Sequence, residues 1–173
     1  TDSRVPFPLL GLVHVRNRII QHRPIGEGEN LDLDVSLGEA GQVSKGLEFE
    51  LLTRARSAGR LVWEEISTIL FLRPQSGNGK APKEPLQLET YANTCDVQVP
   101  KSTGRQYAAV SGDRNPIHLY TLTARMFGFP RAIAHGMWSK ARVLSLLEQQ
   151  SDWQDGGFTI HCDFRKPLFM PAS

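Results

Sequence analysis

Apolar and polar positions alternate through much of the first part of the chain. Leu31, Leu33 and Val35 alternate with Asp32, Asp34 and Ser36, which predicts a strand with one buried face. Residues 47–56 and 61–72 are two further apolar-rich runs, and the intervening Ser57-Ala58-Gly59-Arg60 predicts a hairpin. An earlier run over 9–20, containing Leu12-Val13-His14-Val15 and Ile19-Ile20, predicts another strand. The pattern breaks over 73–89, where Pro74, Gly77, Gly79, Pro82 and Pro85 interrupt a polar stretch, the composition of a linker. The chain therefore divides into a β-rich unit over 1–72, a linker over 73–89 and a second unit over 90–173.

The second unit has a different rhythm. Residues 90–99 read as a strand, and Lys101-Ser102-Thr103 offer polar caps for a short helix running to about Val110. A Gly-Asp-Arg-Asn-Pro break follows, then a second short helical segment over 121–127. From 134 to 150, Met137, Ala141, Leu144 and Leu147 recur at three- and four-residue spacing with no proline. This predicts the longest helix of the chain, its apolar stripe turned toward a sheet. Beyond Asp155-Gly156-Gly157, the residues Phe158, Ile160, Cys162 and Phe164 alternate with polar partners as a strand does.

Composition narrows the class. The 173 residues are enough to bury a core, and 40% hydrophobic with 22% charged residues is ordinary for a globular protein. A net charge of +2, with the basic residues scattered, predicts neither a nucleic-acid nor a membrane partner. Two cysteines, Cys95 and Cys162, make neither a disulfide scaffold nor a zinc site, and fit a reducing, cytoplasmic setting. The polar start TDSRVP is no signal peptide, and no apolar stretch is long enough to span a bilayer.

The chemistry concentrates in Tyr107-Ala-Ala-Val-Ser-Gly-Asp-Arg-Asn-Pro-Ile-His118 and in Ala134-His135-Gly136-Met137. Gly112 permits a tight turn, and Pro116 removes a backbone donor and keeps Asn115 out of helical geometry. The chain can thus leave one helix, turn, and bring Asp113 and His118 to the same side. A carboxylate beside an imidazole suits proton transfer to and from water near neutral pH. Taken alone, Gly-Asp-x-Asn-Pro reads first as an Asx-turn capping the next short helix, with a surface histidine. Gly136 at the start of the long helix exposes backbone N–H groups to an incoming carbonyl oxygen, an oxyanion-hole arrangement; close helix–sheet packing is the other reason for a glycine there.

Together, Ser111-Gly112-Asp113-x-Asn115-Pro116-x-His118 and Ala134-His135-Gly136-Met137 resemble the MaoC-like (R)-specific enoyl-CoA hydratases, over about 90–173. The resemblance implies a hot-dog fold of the α+β class, a long central helix wrapped by an antiparallel sheet. It implies hydration of trans-2-enoyl thioesters of coenzyme A or acyl-carrier protein, with no metal and no cofactor. Asp113 and His118 match the pair that activates the water, Asn115 the asparagine that supports it, and Gly136 the donor to the thioester oxygen. The 1–72 unit resembles the non-catalytic half of double hot-dog members, though without a visible central helix. The catalytic unit ends before the strands that would complete its sheet. Uncovered sheet edges predict a homodimer or a pairing of the two units.

The remaining candidates weigh toward structure. His14, His22 and His161 lack metal-ligand spacing and read as surface or packing residues, and His135 as structural rather than as the base. Arg131, Lys140, Arg142, Arg165 and Lys166 could meet the phosphates of coenzyme A, although solvated positions suit most of them. Trp138 and Phe127 fit a core or tunnel wall. Thioester hydrolysis and non-catalytic acyl-thioester binding are the competing activities.

Overall fold

The computed structural model describes residues 12–72, 94–149 and 156–173. The predicted strand 9–20 is β1, Leu12–Gln21, followed by β2, Asp32–Val43, β3, Gly46–Ser57, and β4, Arg60–Leu72. The predicted hairpin joins β3 to β4 through Ala58 and Gly59, whose φ values of 48° and 76° are those of the tight turn that matches strand twist. The linker expected over 73–89 lies outside the described residues. Helices α1, Thr103–Ser111, α2, Pro116–Leu119, α3, Thr121–Met126, and α4, Gly136–Leu147, precede the last strand, β5, Phe158–Asp163.

All five strands form one antiparallel sheet in the order β2-β3-β4-β1-β5. β1 pairs with β4 on one side and with β5 on the other, so the segments before and after the linker share a sheet. In β1 the pairing passes from His14–Ile69 to Arg16–Thr68, leaving Val15 as an extra residue. This bulge inverts the alternation. His14, Asn17 and Ile19 therefore face the same side, opposite Ile69, Ser67 and Glu65. Ile160 and Cys162 pair with Ile19 and Asn17 and share that face.

α4 is tied to this face. Buried Lys140 donates to Asn17 Oδ1, while Asn17 Nδ2 donates to Glu65 Oε1 at 2.6 Å and to Ser67 Oγ at 3.0 Å. An apolar cluster of Val99, Ala132, Ala134 and Met170 packs with Val97, Trp138 and Ala172. Bridges from Val99 to Ala172 and from Ile133 to Phe169 close it.

Three expectations need correction. The described part of 90–99 is not a strand, because its only sheet contact is the single bridge at Val99. The apolar residues of β2 are not a buried face: Leu33, Val35 and Leu37 are exposed, since β2 is an edge strand that no described element covers. The apolar stripe of α4 is covered only in part: Met137 and Leu144 are half-buried, Ala141 and Leu147 are exposed, and the buried residue of the helix is Lys140, one turn on from Gly136. The Lys140–Asn17 bond ties this face to the sheet, a polar contact that hydrophobic periodicity does not register.

Candidate active site

The turn after α1 carries Asp113. Gly112, at φ 75°, ends α1 in the left-handed region and accounts for the glycine. Ser111 Oγ donates to the Tyr107 carbonyl at 2.9 Å and accepts from the Asp113 N–H at 3.2 Å. Asp113 Oδ1 accepts the Asn115 N–H at 3.0 Å, which is an Asx-turn. Asn115 then caps α2, its Oδ1 accepting from the Ile117 N–H at 3.4 Å and its Nδ2 donating to the Leu12 carbonyl at 3.3 Å. The turn reading and the catalytic reading of this motif are thus compatible. The local bonds shape the loop, and the Asp113 carboxylate remains half exposed, at 52%.

His118 is set in place by its neighbours. Gly104 of α1 lies so close to α2 that an added Cβ would stand 1.9 Å from the His118 carbonyl oxygen. The buried imidazole donates from Nδ1 to the Ile133 carbonyl at 2.8 Å. That bond places the proton on Nδ1 and leaves the Nε2 lone pair for a ligand. Burial, and then the neighbouring His135, push its pKa down to about 4, so the ring is neutral at physiological pH.

His135 is the N-cap of α4 and stacks on His118, ring centroids 3.8 Å apart at 28°. Its Nε2 donates to the Asp113 carbonyl oxygen at 3.1 Å; the Asp113 carboxylate, 3.8 Å away, is beyond hydrogen-bond range. Tyr107 lies against the same ring, centroids 4.9 Å apart. Burial lowers the pKa of His135 as well. The structural role expected for His135 therefore has a specific content, which is to hold the Asp113 turn against the start of α4.

Asp113, His118 and His135 each offer a ligand atom within 4.8 Å of the others, close enough for a metal ion or for one small polar ligand. A backbone carbonyl already takes one nitrogen of each ring.

Gly136 opens α4 beside this cluster. Its helix has no side-chain cap, and its first-turn N–H groups have no partner within the helix. A Cβ at Gly136 would meet the Phe164 ring at 3.1 Å, so packing is one reason for this glycine. The sequence patterns passed over Gly104 and read Phe164 only as an alternating residue of the last strand, whereas the importance of both lies in close approaches between segments distant in the chain.

The other candidates resolve individually. Lys140, only 5% exposed and bonded to Asn17, is no phosphate ligand on the surface. His22 is exposed and pairs with Glu64 at 2.9 Å, and His161 is exposed beside Asp163. His14 is different: its Nε2 is buried. Trp138 packs on the apolar cluster around Val99.

Comparison with known proteins places this arrangement. The MaoC like domain family matches residues 78–172, more than half of the chain. The 3-hydroxyacyl-thioester dehydratase X of Mycobacterium tuberculosis is 32% identical over 175 residues, covering 100% of this chain and 61% of that protein. A crystal structure of HtdX from M. tuberculosis superposes with a TM-score of 0.80 at 33% identity, covering 96% of this chain and 66% of the other. The MaoC-like dehydratase of Phytophthora capsici, 21% identical, shares the fold with a TM-score of 0.67 over 95% of this chain and 60% of its own. The chain thus spans about three fifths of the length of its curated relative. Its antiparallel sheet and helices are of the hot-dog, MaoC-like type. By the span of the family match and by the motif it contains, the chain belongs to the MaoC-like domain family.

Proposed function

We propose that this chain carries the site of an (R)-specific hydratase that adds water to trans-2-enoyl thioesters, or removes it from 3-hydroxyacyl thioesters. One observation carries the reading: a half-exposed carboxylate, Asp113, and an imidazole with its Nδ1 proton fixed, His118, have ligand atoms within 4.8 Å of each other. A single water hydrogen-bonded at about 3 Å to each group fits that separation. As the water oxygen bonds to C3, the pair takes a proton from it, and the electrons of the double bond move toward the thioester carbonyl. The same pair returns a proton to C2 as the enolate collapses, so the two additions fall on one face. Asn115, fixed between α2 and the Leu12 carbonyl, supports the pair. The N–H of Gly136, on the uncapped first turn of α4, stabilises the oxygen charge that develops on the thioester.

The thioester itself acidifies C2, so the reaction needs neither metal nor redox cofactor. We propose coenzyme A or acyl-carrier protein as the carrier, a cytoplasmic setting, a double hot-dog arrangement with units at 1–72 and 90–173, and a homodimeric assembly. Among the described residues no helix is long and apolar enough to cross a membrane. The test is a purified-protein assay with crotonyl-CoA. Loss of enoyl absorbance without release of free thiol is expected. Thiol release would make the chain a thioester hydrolase, and binding without either change would make it a non-catalytic subunit.

A further inference from the structure

Two buried side-chain nitrogens have no hydrogen-bond partner among the described residues, His135 Nδ1 and His14 Nε2. Buried polar atoms are nearly always paired, and an orphan marks a place where a ligand or water completes the bonding. His135 belongs to the site already described. His14 comes from β1, more than ninety positions before Asp113 in the chain.

Three observations place His14 at the same site. First, the bulge at Val15 puts its side chain on the face of the sheet that carries Asn17, the partner of Lys140 of α4. A regular β1 would direct it to the opposite side, and bulges commonly re-aim a side chain beside an active site. Second, its ring lies against Phe164, centroids 5.1 Å apart at 60°. Phe164 is the residue whose ring fills the space over Gly136. Third, Leu12, two residues earlier, is the carbonyl that holds Asn115 of the catalytic turn.

The protonation state of the ring is defined too. With Nε2 unpartnered, the ring's hydrogen bond to the Arg16 backbone falls to Nδ1, and burial holds the pKa of the imidazole down. The Glu65 carboxylate and, more weakly, that of Asp113 act on the ring in the opposite sense, and the Lys140 ammonium adds to the lowering. His14 is therefore a neutral ring whose buried Nε2 offers a lone pair and calls for a donor.

We propose that His14 is a substrate-contacting residue of this site, its Nε2 accepting a hydrogen bond from an O–H or N–H of the bound acyl thioester. The inference rests on the hydratase reading. Two donors share this chemistry: the hydroxyl at C3, or the water that becomes it, and an amide N–H of the carrier's pantetheine-type arm. The contribution comes from the segment before the linker, the one without the hydratase motif.

The test compares His14→Leu, which removes the acceptor, with His14→Gln, which can retain one. Each is assayed on crotonyl-CoA and on S-ethyl thiocrotonate, which lacks the arm amides. His14→Leu should lower kcat/KM for crotonyl-CoA by about tenfold or more, the scale of a lost buried hydrogen bond. Its melting temperature should change little, the lost bond to the Arg16 backbone being offset by the replacement of an unsatisfied buried atom with an apolar one. His14→Gln should recover part of the loss. A loss on both substrates assigns the donor to the C3 hydroxyl or water, and a loss confined to crotonyl-CoA assigns it to the arm. Unchanged kinetics with a lowered melting temperature would make His14 a packing residue and overturn the proposal. Should the wild-type protein hydrate neither substrate, the hydratase reading fails separately. The His14 ring resonance on addition of 3-hydroxybutyryl-CoA then decides, a shift supporting the contact and none overturning it.

Discussion

Two backbone carbonyls fix the tautomers of the stacked histidines. The Ile133 carbonyl fixes the proton of His118 on Nδ1, and the Asp113 carbonyl fixes that of His135 on Nε2. With both rings buried and stacked, a proton added to either meets poor solvation and a neighbouring imidazole. His118 accordingly remains an unprotonated base down to about pH 4. Because its pKa is depressed, the active neutral form is complete above an ordinary histidine pKa and is lost only as pH falls toward that lower value. The acid limb of kcat/KM for crotonyl-CoA should therefore lie well below pH 6.5, near 4, with activity nearly flat from about pH 6 to 8. A limb centred at 6.5 or higher would contradict the assignment of His118 as a neutral base. At this scale the motif made Asp113, Asn115 and His118 legible in the sequence. The orphan nitrogen of His14 was not, because nothing local to Val13-His14-Val15 reports a bulge.

Among the elements, legibility followed periodicity where periodicity reflects burial. The alternation of Phe158, Ile160 and Cys162 matched β5, whose alternate residues are indeed less exposed. α4 was legible as a helix, but its buried Lys140 and the close approach of Phe164 to Gly136 were not, because neither contact belongs to the apolar stripe. In β2 the same alternation produced a strand whose apolar row stays open. Leu33 is 67% exposed, and Val35 and Leu37 stand beside it on an edge strand. Exposed apolar rows and unpaired strand edges promote association. The homodimer proposed above should therefore appear as twice the chain mass in light scattering, and Val35→Glu should shift it toward monomer. A monomeric mass at micromolar concentration would contradict the proposal.

At the scale of the whole molecule, the candidate site is assembled from segments far apart in the chain. β1 pairs with β5, Leu12 holds Asn115, and Asn17 holds Lys140, so residues before the linker shape the environment of residues after it. A pairing of the two segments was one of the two expected ways to cover open sheet edges, and β1 beside β5 is that pairing; which strands meet was not legible, because strand pairing over such separations leaves no local pattern. The motif around Asp113 was readable because its turn chemistry is local: Gly112, Pro116 and the Asx-turn of Asp113 act within a few residues. The central claim is that Asp113 and His118 act together on one water. Its most direct test is the rate of crotonyl-CoA hydration by Asp113→Asn and His118→Ala, each confirmed as folded by circular dichroism. Loss of half of an acid/base pair predicts a fall on the order of a hundredfold or more in either variant. Turnover within a few fold of the wild-type protein, in either variant, would contradict the claim.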